Sequence, residues 1–222
     1  AQLQVKKGFQ CECVRCTSAD LKQRDEPICS WRCTDSSCIQ YVASFSRHCR
    51  KCGSDSDANW GQYILQWRAQ HQNALVLMNQ GNYSKSKSEF EQILKATEGR
   101  LHEEHMVRFE ARHALVDVLQ AMKDYKGTIH QARLALKCMK QHLPTYHTSV
   151  ASLNRILGHS LRDLAGKSPP SEQVDLRKDA VKALRRAEKV LAVAYGAEHP
   201  ETVKLQIDLK ELKELLVSDN SS

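Results

Sequence analysis

The sequence lacks the features that mark several large classes of protein. Nowhere in its 222 residues is there a run of about eighteen apolar residues, which excludes a helical membrane span. No charged-then-apolar leader is present, so we expect no secretory signal. A glycine-rich phosphate loop, a G-x-S-x-G elbow and a pair of carboxylates placed for acid–base work are all missing, and the chain by itself shows no active site. Excess charge is also scarce. Lys+Arg 33 against Asp+Glu 26 gives a net +7, a balance that helps with acidic partners but falls short of a nucleic-acid footprint, so we expect no nucleic-acid partner. Disorder is excluded in turn, because 41% hydrophobic content over this length can bury a core in one large domain or two small ones. The first residue is alanine rather than methionine. We therefore read a soluble intracellular chain, cytoplasmic and/or nuclear, cut from a longer one.

What the sequence has in excess is cysteine. Eight of its nine cysteines lie before residue 53, and Cys138 stands alone. An odd count, the missing leader and knuckle-like spacings favour zinc over disulfides. Phe9-x-Cys11-x-Cys13-x2-Cys16 gives three sulfurs a tether short enough to converge on one ion; tetrahedral zinc needs a fourth ligand from elsewhere. A second cluster follows. Cys33-x4-Cys38 and Cys49-x2-Cys52 flank a short apolar stretch with Ile39, Tyr41, Val42 and Phe45, the layout of a zinc ribbon. Gly53 suits the tight turn after the last cysteine. Cys29 could replace Cys33 or Cys38, and His48 could stand in for a thiol. Cys33 and Cys38 are preferred, since this leaves Cys29 to pack as a small apolar group between Ile28 and Trp31. The ribbon reads as structural, with Arg47, Arg50 and Lys51 solvated. Clustered thiols that serve as ligands are not nucleophiles.

From Trp60 onward the pattern is helical, with helices expected over 60–79, 83–98, 102–123, 125–142, 145–165, 171–195 and 199–217. Short breaks make successive helices antiparallel. Gly81-Asn82-Tyr83-x2-Ser86-x3-Phe90-x2-Ile93-Leu94 has the order of a tetratricopeptide turn and second helix. Lys123-Asp124-Tyr125-x2-Thr128-x3-Ala132-x2-Ala135-Leu136 approximates it without the glycine, and Ala180, Leu184 and Ala187 mark a weaker third copy. Steps of about 42 and about 52 residues exceed the usual length of about 34, which longer helices explain. Small residues at Ser86, Thr128, Ala132, Ala135 and Ala187 fit close helix crossings. The fold class is therefore mainly α: a cysteine motif and linker at 1–28, a zinc-ribbon-like module at 29–58, and a tetratricopeptide-like antiparallel helical array at 59–222. Such a short array is expected to lean on a neighbouring domain. Cys138 reads as core, and His102 and His105 as exposed polar residues on one helical face. Lys182, Arg185, Arg186 and Lys189 read as a basic face that meets water.

With these motifs in order, the chain resembles the C-terminal part of the SET and MYND domain (SMYD) family of protein-lysine methyltransferases. The resemblance rests on Phe9-x-Cys11-x-Cys13-x2-Cys16, which looks like the post-SET motif, and on the helical tail with its Tyr195-Gly196-x2-His199-Pro200 junction. It covers nearly the whole chain, and the insertion at Cys33, Cys38, Cys49 and Cys52 looks most like a branch with a longer post-SET region. It implies that Cys11, Cys13 and Cys16 are three ligands of a zinc whose fourth ligand lies upstream. It also implies that Phe9 packs on the adenine of S-adenosylmethionine, where two flat faces would be buried together. The family's catalytic tyrosine, its asparagine-histidine-cysteine cofactor motif and its MYND cysteines are not found here, so this fragment carries no catalytic residue and is expected to be inactive alone. The tail would form one wall of the substrate cleft and bind protein partners. The alternative is a non-enzymatic adaptor, with the ribbon as a clip and a concave helical face that binds a peptide or partner protein.

Overall fold

The structure is a computed structural model that describes residue 18 and residues 25–219, with side chains through residue 217. Phe9, Cys11, Cys13 and Cys16 lie outside the described residues. The chain divides into two compact units: residues up to Gly61 with Thr97–Met106, and Gln62–Ala96 with Val107–Ser222.

In the first unit a single 3-10 turn, Glu26–Cys29, leads into β1 (Ser30–Arg32), which pairs antiparallel with β2 (Tyr41–Ala43) in the register Ser30↔Ala43, Trp31↔Val42 and Arg32↔Tyr41. The free side of β1 is occupied by residues 100–102. Arg32 N–H donates to the Arg100 carbonyl at 2.7 Å, His102 N–H donates to the Ser30 carbonyl at 3.0 Å, and Trp31 bridges Leu101. Three extended segments thus share the backbone bonds that two would leave unmet. Trp31 stacks on Trp60 with ring centroids 5.4 Å apart, and its Nε1–H donates to Ser56 Oγ at 3.0 Å. Leu101, Val42, Ala43 and Trp60 are among the buried apolar residues described in this unit.

The second unit is a helical array, and seven α-helices occur among the described residues: α1 (Trp60–Asn79), α2 (Tyr83–Ala96), α3 (Met106–Ala121), α4 (Tyr125–His142), α5 (Thr148–Ala165), α6 (Pro170–Tyr195) and α7 (Pro200–Asp219). Each expected helix is present. The largest difference is α3, expected from 102 but starting at Met106, because residues 100–102 pair with β1 and His105 N–H then closes a turn onto the His102 carbonyl. His102 and His105 are accordingly not on a helical face, and His105 is buried rather than exposed. None of the seven helices is long and apolar enough to cross a membrane.

The repeat turns are built alike. At the end of α1, Asn82 N–H donates to the Leu77 carbonyl and Gly81 N–H to that of Met78, with Gly81 at φ 75°. At the end of α3, Asp124 N–H donates to Leu119 and Lys123 N–H to Gln120, and Lys123 takes the left-handed conformation at φ 58°. This is the same helix-ending motif, with lysine where glycine is the unstrained choice. Asp124 then caps α4 by accepting from Gly127 N–H at 3.0 Å.

The small residues singled out in the sequence lie where helices meet: Ser86, Thr128, Ala132, Ala135, Ala180 and Ala187 are all fully buried. Ser86 Oγ–H donates to the Ala74 carbonyl of α1 at 2.8 Å, which ties α2 to its partner. α5 packs on α4 and α6, and α6 on α7, around a core that includes Val116, Leu153, Leu161, Leu184, Leu205 and Leu212. The closest approach sits at Gly158, where an added methyl would come within 2.6 Å of Leu184 Cγ and 3.3 Å of the Ala180 carbonyl.

Two stability changes are expected from this geometry. Gly158→Ala should lower stability by about 1–3 kcal/mol through overpacking, despite a helix-propensity gain of about 1 kcal/mol, since buried Leu184 has nowhere to retreat. Lys123→Gly should raise stability by about 1 kcal/mol by relieving the left-handed lysine. Thermal unfolding followed by circular dichroism reads both, and an unchanged or higher midpoint for Gly158→Ala would contradict the packing account.

Candidate metal centre and helical groove

The turn after β1 carries Cys33 and Cys38. Asp35 Oδ1 accepts from the N–H of Ser37 at 2.9 Å and from its Oγ–H at 2.7 Å, Cys38 N–H donates to the Asp35 carbonyl, and Cys33 N–H donates to Gln40. These bonds fold the x4 spacer into a knuckle that points both sulfurs the same way. The second knuckle closes in the same manner: Cys49 N–H donates to Ser54, and Gly53 N–H, at φ 77°, donates to Cys49. The Sγ atoms of Cys33, Cys38, Cys49 and Cys52 consequently lie within 4.8 Å of one another. Cys33 and Cys52 are 3.4 Å apart and Cys38 and Cys49 are 3.8 Å apart. A disulfide needs about 2.05 Å. Four thiolates about 2.3 Å from a tetrahedral ion stand about 3.8 Å from one another, so the donor set fits a single metal ion of zinc's kind.

The thiols do not share one environment. Burial pushes the Cys33 thiol up to about 12, with the neighbouring thiols of Cys52, Cys49 and Cys38 adding to it, against a backbone hydrogen bond at Asp35. The hydroxyl and backbone of Ser54 pull Cys52 down to about 6. Backbone hydrogen bonds at Cys52 and Lys51 lower Cys49. For Cys38 the backbone bond at Gln40 lowers the thiol, but burial and the thiols of Cys49 and Cys52 outweigh it and the balance is upward. Four sulfurs this close cannot all ionise without a cation between them, and a bound divalent ion is the partner that would let them.

The two alternative ligands lie elsewhere. Cys29 Sγ points back to the Glu26 carbonyl at 3.5 Å, within its own 3-10 turn. His48 Nδ1 pairs with Asp55 at 2.6 Å, and both side chains are largely exposed. Cys138 is buried in α4.

A second feature, within the helical unit, carries none of the residues singled out in the sequence. A cavity of about 310 Å³ opens between α3, α5 and α7, walled by Asp117 and Gln120, by Ser152, Arg155 and His159, and by Glu201, Lys204 and Asp208. Arg155 pairs with Glu201, and His159 Nε2 with Asp208 Oδ2 at 2.9 Å, so two ion pairs cross from α5 to α7. Burial lowers the His159 pKa below 6.5, although Asp208 opposes this through its hydrogen bond and its charge. The signal that could have exposed this wall is the polar line Ser152, Arg155 and His159, spaced for one face of an otherwise apolar helix.

The class defined by these observations is a tetratricopeptide-like helical array joined to a four-cysteine cluster positioned to bind a metal ion. The chain is 20% identical over 206 residues to N-lysine methyltransferase SMYD2 of Mus musculus and to that of Homo sapiens; each match takes in 91% of this chain and 40% of the relative. The chain thus spans about two fifths of the length of the curated relatives it matches. Among solved structures it is similar to the nearly identical TPR-like repeats of a Podosopora anserina protein described as a kinesin light chain, and to a single-substitution variant of that protein. Each gives a TM-score of 0.51 and 20% identity over 66% of this chain and 65% of that one. This likeness concerns the fold. Residues 172–222 also match the Ribosomal L25p family, a stretch that falls on α6 and α7 and takes in less than a quarter of the chain.

The cluster generates a direct test. Cys38→Ser should lower metal content by one ion per chain in elemental analysis, whereas Cys29→Ser and Cys138→Ser should leave it unchanged. A chelator should unfold the cysteine unit while a mild reductant leaves it intact; the reverse response would identify disulfides.

Proposed function

We propose that the chain is the C-terminal portion of an S-adenosylmethionine-dependent protein-lysine methyltransferase of the SET and MYND kind. The observation that carries this reading is the similarity to SMYD2 across 91% of the chain, combined with the Phe9-x-Cys11-x-Cys13-x2-Cys16 run that precedes the helical array. In this reading Cys33, Cys38, Cys49 and Cys52 hold a structural zinc, closed to substrate by four protein ligands. Cys11, Cys13 and Cys16 contribute three ligands to a second zinc completed by the catalytic part of the protein. Phe9 stacks on the adenine of the cofactor, which when bound supplies the methyl group. The helical array contributes a wall that positions a lysine-bearing polypeptide against that methyl. No residue of this chain moves a proton or attacks a carbon, so the chain alone transfers nothing.

A second reading draws support from the groove between α3, α5 and α7, whose polar walls all come from the helical unit. A site that needs no catalytic part also suits an adaptor, with the zinc module as a clip.

Two measurements separate these readings. In the full-length protein, Phe9→Ala should weaken S-adenosylmethionine binding about tenfold in calorimetry, the loss of about 1.4 kcal/mol of stacking. The 222-residue chain should transfer no radiolabelled methyl group to protein. Unchanged cofactor affinity in the variant, or methylation by the isolated chain, would overturn the methyltransferase assignment.

A further inference from the structure

Asp117 is the carboxylate of the helical groove that no described side chain pairs with. It lies half-buried on α3 and belongs both to the polar cavity and to an adjoining recess of about 320 Å³ lined by His71, Leu75, Phe109 and Met139, so a chain laid along the groove must pass it. Among the described residues it forms no hydrogen bond and no ion pair. Burial raises its pKa, and nearby His113 only partly offsets this. Two of the basic side chains that line the cavity with it are engaged, Arg155 by Glu201 and His159 by Asp208; the third, Lys204, is exposed on α7 and forms no hydrogen bond or ion pair with Asp117.

The sign of the groove differs from that of the whole. Asp117, Glu201, Asp208 and Glu110 face the groove and its recess against Arg155 and Lys204, while the chain carries a net +7. A local negative field attracts basic ligands and repels acidic ones, and so selects between them. A half-buried carboxylate left without a partner costs free energy that an incoming ammonium or guanidinium returns through a charge-assisted hydrogen bond. The apolar recess beside it suits the methylene stem of such a side chain.

We propose that the groove between α3, α5 and α7 is a peptide-binding site that receives a lysine or arginine side chain on Asp117. The proposal deepens the reading of the helical array as a substrate or partner wall, and it rests on that reading: it states the chemistry of what that wall takes, a basic extended segment rather than an acidic one.

The test uses the isotope-labelled 222-residue chain, titrated by nuclear magnetic resonance with the blocked peptides Ala-Lys-Ala-Lys-Ala and Ala-Glu-Ala-Glu-Ala at low salt. The lysine peptide should shift the amides of Asp117, Gln120 and Ser152 saturably, with affinity that falls as salt is added. Asp117→Asn should weaken it about tenfold, as expected for the loss of a hydrogen bond to a charged group. The melting temperature of the variant should be no lower than that of the parent chain, which separates lost binding from lost folding. Three results would each overturn the proposal: no saturable shift in the groove with the lysine peptide, equal or tighter binding of the glutamate peptide, or undiminished affinity in Asp117→Asn. Cofactor affinity of the full-length protein is read separately, so the methyltransferase assignment can fail while peptide binding holds, and the converse.

Discussion

The helical unit depends on how closely α5 and α6 approach each other. At Gly158 there is room for a hydrogen but not for a methyl, because Leu184 and the Ala180 carbonyl already fill the space. That contact sets the separation of the two helices, and the remaining core is arranged around it: Leu161 and Leu153 along α5, Ala180, Leu184 and Ala187 along α6, and Leu205 and Leu212 from α7. Close crossing also has a consequence on the opposite face of α5. With its apolar side committed to α6, its polar line of Ser152, Arg155 and His159 is turned toward α3 and α7, where the groove opens. The packing constraint and the candidate binding surface are two sides of one helix.

The cysteine unit solves a different problem. Its strands have three residues each, too short to bury a core of their own. Among the described residues, its apolar burial lies in the Trp31–Trp60 stack and in Leu101, Val42 and Ala43, beside the two knuckles and their sulfurs. A metal ion held by the four sulfurs would supply to such a unit what a hydrophobic core supplies to a larger one. The borrowed segment at residues 100–102 serves the same end by meeting the backbone groups on the open side of β1.

Much of this organisation was legible in the residues. The helices were visible because amphipathic periodicity is local, and the repeat turns because Gly81 and its neighbours recur in altered form at Lys123. The buried small residues were visible for the same reason: Ser86, Thr128 and Ala132 occupy positions that a repeat pattern singles out. The start of α3 was misplaced because nothing local distinguishes residues 102–105 from a first helical turn. What delays the helix is β1, some seventy positions earlier in the chain, which holds residues 100–102 through the Ser30 to His102 pairing, so that 102–105 close a turn before α3 can begin. The choice among Cys29, Cys33, Cys38 and His48 was likewise open in the sequence, where every spacing was acceptable. In space Cys29 is turned into its own 3-10 turn, and His48 is held by Asp55.

By itself the sequence determined the element types, their order, the repeat character and the presence of sulfur pairs at knuckle spacing, because each depends on residues within one or two turns of one another. Only the tertiary structure decided which four sulfurs meet, that residues 100–102 pair with β1, and that Asp117 lies in a groove without an ion-pair partner among the described residues. Those outcomes depend on which distant segments share the same few ångströms, and no local pattern encodes that.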